Sequence, residues 1–378
     1  MRVGVPREPA GETRVAATPE TVATMAKWGW DVDVETGAGD HAGFTDDAYR
    51  DAGASVSTDP ARPQGAGLVL RVGPPTPEDV NRLHEGAVIV GFLDPFVDGV
   101  LVRALAERKV TALAVEAIPR TTLAQSMDAL SSQANLAGYA AVLTAAAVSP
   151  KLVPMMVTAA GTIRPAKALI LGAGVAGLQA IATARRLGAI VYGYDIRSET
   201  KEQVESLGAR FVTAPTAEAG AGGYATEVGE DVQRRQFEAL APHVADADVI
   251  VTTAQIPGRP APRLITAEMV ASMHAGSVIV DMAAATGGNV EGTRPDETVE
   301  IGGVTILGPT NLASMVATDA SRMYARNLVA LLERARDADS GELIIDLDDE
   351  IIGGCTIVHL GAVVHPLSRS LVGMGPNE

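Results

Sequence analysis

Short apolar and β-branched runs alternate with longer segments of helical periodicity along most of the chain. This alternation predicts parallel α/β sheets, in which a helix follows each strand and crosses back over the sheet. The runs form two sets, so two sheets are predicted. The first set comprises 2–5, 32–35, 68–72, 87–92 and 111–115, and the second comprises 168–172, 189–194, 209–212, 248–252, 277–281 and 303–307.

Two longer helical segments, 129–150 and 312–336, flank the second sheet, and the tail at 343–364 adds short strands around Gly353 and Gly354. Because the second sheet starts and finishes inside the chain, we expect the C-terminal helix to return to the first domain. The predicted fold class is therefore α/β, with two Rossmann-like parallel-sheet domains joined by two long helices and a cleft between them. The predicted domains are a discontinuous outer domain of residues 1–128 and 312–378 and a dinucleotide-binding domain of residues 129–311.

Length, charge and cysteine content narrow the classes of partner. A chain of 378 residues exceeds one ordinary core, which agrees with two domains. The 46 acidic residues outnumber the 30 basic ones, giving a net charge of −16, so a nucleic-acid partner is not expected. The single cysteine, Cys355, fits a reducing compartment. The six histidines include no pair at i,i+4 helical spacing, so no metal site is expected.

The uncharged run at 129–150 has the length of a membrane span, but its composition argues against one. Alanine is its commonest residue, and it opens with small polar side chains, namely Ser131, Ser132, Gln133 and Asn135. Such a segment is too polar to cross a bilayer. We interpret it as a helix whose small residues permit close packing between the domains. The N-terminus also lacks the pattern of an export signal.

A glycine-rich turn follows the first run of the second set. Gly172, Gly174 and Gly177 form G-x-G-x-x-G between a strand and an amphipathic helix, and the next strand ends at Asp195, about 20 residues further on. In such a turn a pyrophosphate approaches backbone N–H groups at the helix N-terminus. Asp195 would accept hydrogen bonds from the adenosine ribose and repel a 2′-phosphate, which predicts NAD(H). Arg197, just past the strand, is a group that could instead receive such a phosphate.

Two other glycine-rich stretches are weaker candidates for nucleotide binding. Gly37, Gly39 and Gly43 have the wrong spacing and no apolar helix behind them, so an ordinary loop is predicted there. The run that contains Gly223 and Tyr224 is either a flexible connection or a hinged lid that carries an aromatic ring over the nucleotide.

Several motifs together resemble one family over nearly the whole chain. Similarity to the alanine dehydrogenase and nicotinamide nucleotide transhydrogenase superfamily is found in the segments MRVGVPREPAGETRVAATP, GVAGLQAIATARRLGA, ESLGARF and GGYATEVGE. A more specific resemblance, to domain I of proton-translocating transhydrogenase, is found in the segments AQSMDALSSQANLAGY, VDMAAATGGN and PTNLASMVATDAS. Domain I is the NAD(H)-binding component of that enzyme. The segment with Gln-Ser-Met-Asp is the most specific, because alanine dehydrogenases differ there.

The resemblance implies a nicotinamide site in the polar segment that precedes the helix at 129–150. Gln125 and Asp128 would hydrogen-bond the cofactor, Arg120 would lie near its pyrophosphate, and Ser131 would reach the carboxamide. Direct hydride transfer between two nicotinamides exchanges no proton with solvent, so positioning matters more than a general base. Leu123 stands where the family pattern has an arginine. Alternatively, Asp128 and Ser131 only cap the helix and Arg120 is a surface residue.

The resemblance also implies a wider set of NAD(H)-binding residues around the glycine turn and in the polar segment. Beside Gly172, Gly174, Gly177 and Asp195, they are Val175, Ala176, Ile196, Arg197, Gly223, Tyr224, Gln236, Gln255, Ser126 and Met127.

An enzyme like alanine dehydrogenase is the alternative within the superfamily. Oxidation of an amino acid requires an ionisable base and a cationic anchor for the carboxylate. By the resemblance, that family has a lysine in the strand corresponding to LVLRVGPP and a histidine after the one corresponding to GFLDPF. This chain has Arg71 and Gly73 in the first and Asp94 at the second, although Arg14 is retained. The acid–base residues are therefore missing. A regulatory protein that only binds NAD is a further alternative.

The partners follow from what the sequence lacks and from the resemblance. It contains neither a second dinucleotide fingerprint nor a spanning helix, so the NADP(H) site and the proton channel are expected on other components. The resemblance implies a homodimer, peripheral on the cytoplasmic, inner face of the membrane. It would bind NAD(H) and work with an NADP(H)-binding component and a membrane-embedded subunit.

Overall fold

The computed structural model describes residues 1–214, 230–256 and 259–373. The chain forms two compact units. Unit 1 contains Met1–Gln133 and the chain from Ser314 onward, and unit 2 contains Ala134–Ala313. The sequence-based boundaries, after 128 and 311, differ from these limits by a few residues.

The described strands and helices alternate along the chain. The strands are β1 (Arg2–Val5), β2 (Asp31–Glu35), β3 (Ser55–Ser57), β4 (Leu68–Leu70), β5 (Val88–Gly91), β6 (Thr111–Ala114), β7 (Met156–Thr158), β8 (Gly161–Ile163), β9 (Lys167–Leu171), β10 (Ile190–Tyr194), β11 (Arg210–Phe211), β12 (Val249–Thr252), β13 (Val278–Asp281), β14 (Thr298–Ile301), β15 (Val304–Leu307), β16 (Thr356–His359) and β17 (Ala362–Val363). The α-helices are α1 (Pro19–Lys27), α2 (Asp46–Asp51), α3 (Ala61–Gln64), α4 (Pro77–Arg82), α5 (Gly99–Glu107), α6 (Ala129–Val148), α7 (Val175–Arg186), α8 (Thr200–Ser206), α9 (Glu230–Ala245), α10 (Ala267–Ala271), α11 (Ala317–Ala335), α12 (Glu350–Cys355) and α13 (Pro366–Leu371). Short 3-10 segments include Asp40–Ala42, Val115–Ala117, Thr122–Met127, Ala284–Thr286 and Leu312–Val316.

Unit 1 is built on one sheet with the order β17-β16-β6-β5-β4-β1-β2-β3. Strands β1 to β6 are parallel, and β16 and β17 add an antiparallel edge. Every residue of β4, β5 and β6 is buried. Buried parallel strands read as continuous apolar runs, which is the pattern found in the sequence. The first six strands follow the order 3-2-1-4-5-6.

Unit 2 contains a second sheet with the order β11-β10-β9-β12-β13-β15-β14. All neighbours are parallel except β14 and β15, which pair antiparallel. The parallel strands again follow the order 3-2-1-4-5-6, which is that of a doubly wound nucleotide-binding sheet. The predicted α/β class with two Rossmann-like parallel sheets is confirmed. A separate antiparallel hairpin, β7 with β8, also belongs to unit 2.

The two long helical segments form largely as predicted. The boundary between the units falls within α6, and α11 begins at Ala317 because Leu312–Val316 forms a 3-10 turn. Within the described ranges, no helix combines the length and the apolar character that a membrane span requires.

The tail differs from the prediction around Gly353 and Gly354. Both glycines lie inside α12 rather than in strands, and β16 begins only at Thr356. Asp349 explains the difference, because its carboxylate accepts hydrogen bonds from the N–H groups of Ile351 and Ile352 and caps the helix. A Cβ on Gly353 would lie 2.2 Å from the carbonyl oxygen of Leu347, so close backbone approach accounts for a glycine there.

A tryptophan pair anchors the end of α1 in unit 1. The rings of Trp28 and Trp30 meet edge to face with their centroids 5.2 Å apart. The indole N–H of Trp30 donates to the carbonyl oxygen of Gly341 at 2.8 Å, and Trp30 is only 4% exposed. The pair therefore ties the N-terminal region of unit 1 to the chain beyond α11.

Candidate functional site

The strand order of unit 2 reverses beside β9. Strand β9 lies between β10 and β12, so the chain leaves the carboxyl ends of β9 and β12 in opposite directions. In open α/β sheets, ligands bind in the crevice outside this switch point. The glycine turn begins at Gly172, immediately after β9, and Thr253 immediately follows β12.

At two of the three glycines a side chain would clash with neighbouring atoms of the protein. Gly172 has φ +100°, and a Cβ there would lie 2.5 Å from the hydroxyl oxygen of Thr253. A Cβ on Gly177 would lie 1.8 Å from the carbonyl oxygen of Gly172, so helix α7 approaches the turn without room for a side chain. These glycines provide the tight turn and the close helix–strand contact that a dinucleotide-binding turn requires.

The middle glycine faces open space. A Cβ on Gly174 would meet no atom of the described residues within 4 Å, and Gly174 is exposed. Gly174 is also the N-cap of α7, where no side chain caps the helix and no acidic residue lies in the first turn. Free N–H groups at a helix N-terminus attract an anion. The turn therefore fits the pyrophosphate of a dinucleotide, which would approach Gly174, the exposed Val175 and the partly buried Ala176.

Asp195 directly follows β10 at the same edge of the sheet and is 7% exposed. Its Oδ2 accepts from the backbone N–H of Ala173 at 2.7 Å, which joins the strand end to the glycine turn. The Arg197 guanidinium makes two further hydrogen bonds to the carboxylate, from Nε to Oδ1 and from Nη2 to Oδ2, both at 2.9 Å. The backbone N–H of Arg197 also donates to Oδ1 at 2.9 Å.

The other predicted residues of unit 2 differ in accessibility. Ile196 is half-buried beside Asp195, Gln236 on α9 is 3% exposed, and the exposed Gln255 donates to the carbonyl oxygen of Met282 at 3.0 Å. The sequence-based assignments of Gly223 and Tyr224 lie outside the described residues.

Sequence reasoning assigned no role to two buried residues that shape this edge of unit 2. The carboxylate of Asp281, at the end of β13, accepts from the hydroxyls of Thr252 and Thr293 and from two backbone N–H groups. Asn289 bonds both the N–H and the carbonyl oxygen of Ala254, fixing the loop after β12. The signal was present in VDMAAATGGN, which places an aspartate at a strand end and an asparagine beyond two glycines.

The polar segment of unit 1 forms the 3-10 turn Thr122–Met127 ahead of α6. Arg120, Gln125 and Ser126 are exposed, as is Leu123 with 68% of its surface accessible. In contrast, Met127 is 7% exposed and belongs to the hydrophobic core of unit 1, so its side chain packs inside the protein.

Asp128 and Ser131 bond each other at the start of α6. The backbone N–H of Ser131 donates to Oδ1 of Asp128 at 2.8 Å, and its hydroxyl donates to Oδ2 at 2.6 Å. This is the helix cap that the sequence left open as an alternative. Asn327 on α11, which sequence reasoning missed, donates to the carbonyl oxygen of Ser126 at 2.8 Å and accepts from Ser132 at 2.7 Å. Helix α11 therefore holds the polar segment in place.

Unit 1 has its own switch point, between β1 and β4, and side chains fill it. The carboxylate of Glu8, after β1, accepts from the backbone N–H of Val72 at 2.6 Å and contacts Arg71 at 3.4 Å. The guanidinium of Arg71 is 2.8 Å from Asp79, and its side chain is only 2% exposed. Burial raises the pKa of Glu8, although the charge of Arg71 and the backbone hydrogen bonds oppose this shift.

A second buried carboxylate, that of Glu116, lies near the end of β5. Its Oε1 accepts from the backbone N–H groups of Leu93 and Asp94 at 2.7 Å each, while its Oε2 is buried with no hydrogen-bond partner among the described residues. Burial raises the pKa of Glu116 to about 7. Burial, followed by the charge of Asp98, also raises the pKa of Asp94.

Other candidate chemistry in unit 1 is structural. Arg14 pairs with Glu12 at 2.7 Å and donates to Gln133 at 2.8 Å, so it holds the turn before α1. In the portion of the chain that the structure describes, no group of three or more His, Cys, Asp or Glu side chains could hold a metal ion. The thiol of Cys355 is buried, and burial raises its pKa to about 12.

The strand order of unit 2, its glycine turn and Asp195 directly after β10 are the features of a doubly wound dinucleotide-binding domain. Comparison with known proteins identifies the family. Residues 4–137 match the alanine dehydrogenase/PNT N-terminal domain and residues 141–366 match the alanine dehydrogenase/PNT C-terminal domain. The chain therefore belongs to the alanine dehydrogenase/PNT family.

The chain is similar to transhydrogenase subunits and to an alanine dehydrogenase. The chain is 46% identical to the first part of NAD(P) transhydrogenase subunit alpha from Rhodospirillum rubrum, over 99% of this chain and 100% of that protein. A solved transhydrogenase from Sinorhizobium meliloti superposes with a TM-score of 0.85 and 43% identity, covering 97% of this chain and 99% of that one. A solved L-alanine dehydrogenase superposes with a TM-score of 0.83 but 27% identity, over 99% of both chains. The predicted resemblance to the alanine dehydrogenase and transhydrogenase superfamily, and within it to transhydrogenase domain I, is confirmed.

Proposed function

We propose that this chain is the NAD(H)-binding component of a proton-translocating NAD(P) transhydrogenase. Hydride would pass directly between NAD(H) on this chain and NADP(H) on a partner component, and a membrane component would couple the transfer to proton movement. One contrast carries the proposal: the unit-2 switch point keeps an open glycine turn, whereas Glu8 and Arg71 fill the unit-1 switch point.

Unit 2 would provide affinity and cofactor choice. The helix N-terminus behind Gly174 offers N–H groups to the pyrophosphate. Asp195 would accept the ribose hydroxyls and disfavour a 2′-phosphate. Ile196, Gln236 and Gln255 would line the same edge. When bound, NAD(H) supplies the nicotinamide carbon that gives or takes the hydride.

Unit 1 would provide positioning. Gln125 is exposed on a 3-10 turn that Asn327 fixes from α11, so its amide can orient a ring without changing charge. Asp128 and Ser131 would add polar contacts after rearranging the bonds they now share, and Arg120 would lie near the pyrophosphate. A neutral, fixed amide suits a transfer that requires orientation and no proton exchange.

Partners would supply the rest of the reaction. The relative from Rhodospirillum rubrum is named as one portion of an alpha subunit, which implies further components. We expect an NADP(H)-binding component and a membrane-embedded one, with this chain peripheral on the cytoplasmic face.

The β7–β8 hairpin supports the proposed homodimer. Its side chains are exposed and mostly apolar, and 152–163 carries no charge. Val157 is 69% exposed and Met155 is 62% exposed. Exposed apolar patches mark interaction sites, and a second copy offers an equally uncharged surface. In sedimentation equilibrium, Val157→Asp should convert dimer to monomer; a monomeric wild-type chain, or a dimeric variant, would contradict this assignment.

The central experiment is a reconstitution. The purified chain is titrated with NADH and NADPH by nucleotide fluorescence, and NADH should bind more tightly. It is then added to vesicles that carry the partner components, where reduction of an NAD analogue by NADPH should depend on the chain. A regulatory NAD sensor would bind NADH equally well and restore no transfer.

The same preparation tests the amino-acid dehydrogenase alternative. Arg71 is buried in an ion pair, and Gly73 and Asp94 stand where the lysine and histidine are expected, so the chain should oxidise no L-alanine with NAD between about pH 6 and 9. Measurable turnover of L-alanine would return the chain to the amino-acid dehydrogenases.

A further inference from the structure

The carboxylate of Asp195 has no free acceptor site in the structure. An ionised carboxylate offers about four lone-pair positions, two on each oxygen. Oδ1 accepts from the backbone N–H and from Nε of Arg197, and Oδ2 accepts from the backbone N–H of Ala173 and from Nη2 of Arg197. A ribose hydroxyl therefore cannot donate to Asp195 until one of these donors leaves.

The four donors differ in how easily they can leave. The two backbone N–H groups belong to the turns after β9 and β10, so releasing them would rebuild the backbone of the site. The two guanidinium N–H groups belong to a side chain that is 18% exposed and can rotate towards solvent. Arg197 is thus the donor that a ligand can displace.

Asp281 gives an internal comparison at the end of β13. Its carboxylate also has four donors, but they are two backbone N–H groups and the hydroxyls of Thr252 and Thr293, and Asp281 is completely buried. All of those donors are neutral and belong to the packed edge of the sheet. Asp281 is therefore a fixed structural acid, whereas Asp195 carries a charged and removable partner.

We propose that Arg197 closes the ribose site by bonding Asp195, that NAD(H) binding displaces the guanidinium, and that the pair sets the choice between NAD(H) and NADP(H). The inference rests on the proposed function, since it assumes that this edge binds NAD(H). In the closed pair Arg197 competes with the ribose and is held away from a 2′-phosphate. Asp195 therefore excludes NADP(H) twice, by repelling its phosphate and by retaining the arginine that would receive it.

The first test is the effect of Arg197→Ala on NADH affinity, measured by fluorescence titration and by isothermal calorimetry. Removing a positive charge ordinarily weakens binding of an anionic dinucleotide. Here the variant should bind NADH about three- to tenfold more tightly, because an ion pair of this kind lowers the fraction of competent sites by that order. Arg197→Gln should show the same gain if the alanine variant folds poorly.

Arg294→Ala is the matched control. Arg294 lies in unit 2, is 67% exposed and pairs with Glu297 at 3.4 Å, so its removal changes net charge equally without touching the site. Its NADH affinity should equal or fall slightly below that of the wild type. If Arg197→Ala and Arg197→Gln bind NADH as weakly as Arg294→Ala or more weakly, the displacement is wrong. If the wild-type chain binds no NADH, the proposed function itself fails.

The second test concerns selectivity. Asp195→Asn keeps an acceptor for the N–H of Ala173 but loses the charge that holds Arg197. NADPH affinity should then rise at least about tenfold over wild type, as expected when a 2′-phosphate gains a charge-assisted bond. Asp195→Asn combined with Arg197→Ala should lose this gain. Equal NADPH affinity in the single and double variants would overturn the role of Arg197 in cofactor choice.

Discussion

Units 1 and 2 contain parallel sheets with the same strand order, yet only one switch point is open. In unit 2, Gly174 follows the central strand, and a side chain there would contact no described residue within 4 Å. In unit 1, Glu8 follows the central strand, and its carboxylate accepts a hydrogen bond from the backbone N–H of Val72 at 2.6 Å. Strand order therefore determines where a crevice lies, and the residues that follow its two central strands determine whether a ligand can enter it.

The difference is also one of electrostatics. The unit-2 turn presents uncapped N–H groups of α7 and thus a positive end of a helix. The unit-1 edge instead neutralises its charges internally, because Arg71 lies between Glu8 and Asp79. A buried pair of this type stabilises poorly on balance, but it is costly to break. We therefore expect changes in unit 1 to act on stability and changes in unit 2 to act on binding.

The largest expected effect is on the stability of unit 1. Arg71→Leu leaves Glu8 buried without its cation, which should lower the free energy of unfolding by about 3 to 5 kcal/mol. Arg50→Leu, which breaks an exposed pair with Asp47, should cost at most about 1 kcal/mol. Denaturant unfolding measures both. A stable Arg71→Leu variant, or one that loses NADH affinity while folded, would contradict the separation of roles.

The next effect sharpens the role of the polar segment. Gln125→Leu should slow hydride transfer in the reconstituted complex by about a hundredfold, since positioning errors near 1 Å cost that order in rate. NADH affinity should change much less, and no pH dependence should appear between about pH 6 and 9. Thr122→Ala, another exposed residue of the same turn, serves as the control. Undiminished transfer by Gln125→Leu would remove the positioning role.

A smaller effect tests the open turn of unit 2. Gly174→Ala adds a methyl group that contacts none of the residues that the structure describes, so the melting temperature should stay unchanged. NADH affinity should nevertheless fall about tenfold, because the methyl group would occupy space that the pyrophosphate needs. Gly67→Ala in unit 1, where the nearest atom would be 3.6 Å away, is the control. If Gly174→Ala binds NADH normally, the nucleotide does not approach this turn.

The smallest effect is a pH dependence in unit 1. Burial raises the pKa of Glu116 from 4.5 to about 7. Its contribution to stability is therefore fully present below about pH 4.5 and is lost as pH rises through about 7. Glu116→Gln cannot titrate, so its melting temperature relative to wild type should rise by about 2 to 4 °C between pH 4.5 and 8. Glu107→Gln, at an exposed site, should show no such trend. If the melting temperatures of Glu116→Gln and the wild type change in parallel with pH, ionisation of Glu116 is excluded.

Local patterns made most of the fold predictable, because buried parallel strands leave continuous apolar runs and the glycine turn has a fixed spacing. The prediction was wrong at Gly353 and Gly354, where an aspartate cap and a close backbone contact outweigh the low helix propensity of glycine. The hydrogen-bond partner of the Asp195 carboxylate was not predictable either. Arg197 was visible in the sequence as a possible phosphate ligand, but only side-chain geometry shows that it already bonds the carboxylate.

Contacts between distant segments were equally hidden. Asn327 lies on a helix far along the chain from Ser126, and no local pattern marks it as the residue that fixes the polar segment. Glu8 and Arg71 likewise meet only because β1 and β4 are neighbours in the sheet.

The Trp28–Trp30 pair allows fluorescence to distinguish the unfolding of unit 1 from that of unit 2. These are the only two tryptophans of the sequence, and both belong to unit 1. Indole emission therefore follows the folding of unit 1 alone. The two indole rings lie 5.2 Å apart in the folded protein, and their separation on unfolding should change the near-ultraviolet circular dichroism. Bound NADH would report on unit 2 through its own emission. A single denaturant titration read in both channels would show which half of the chain loses its structure first.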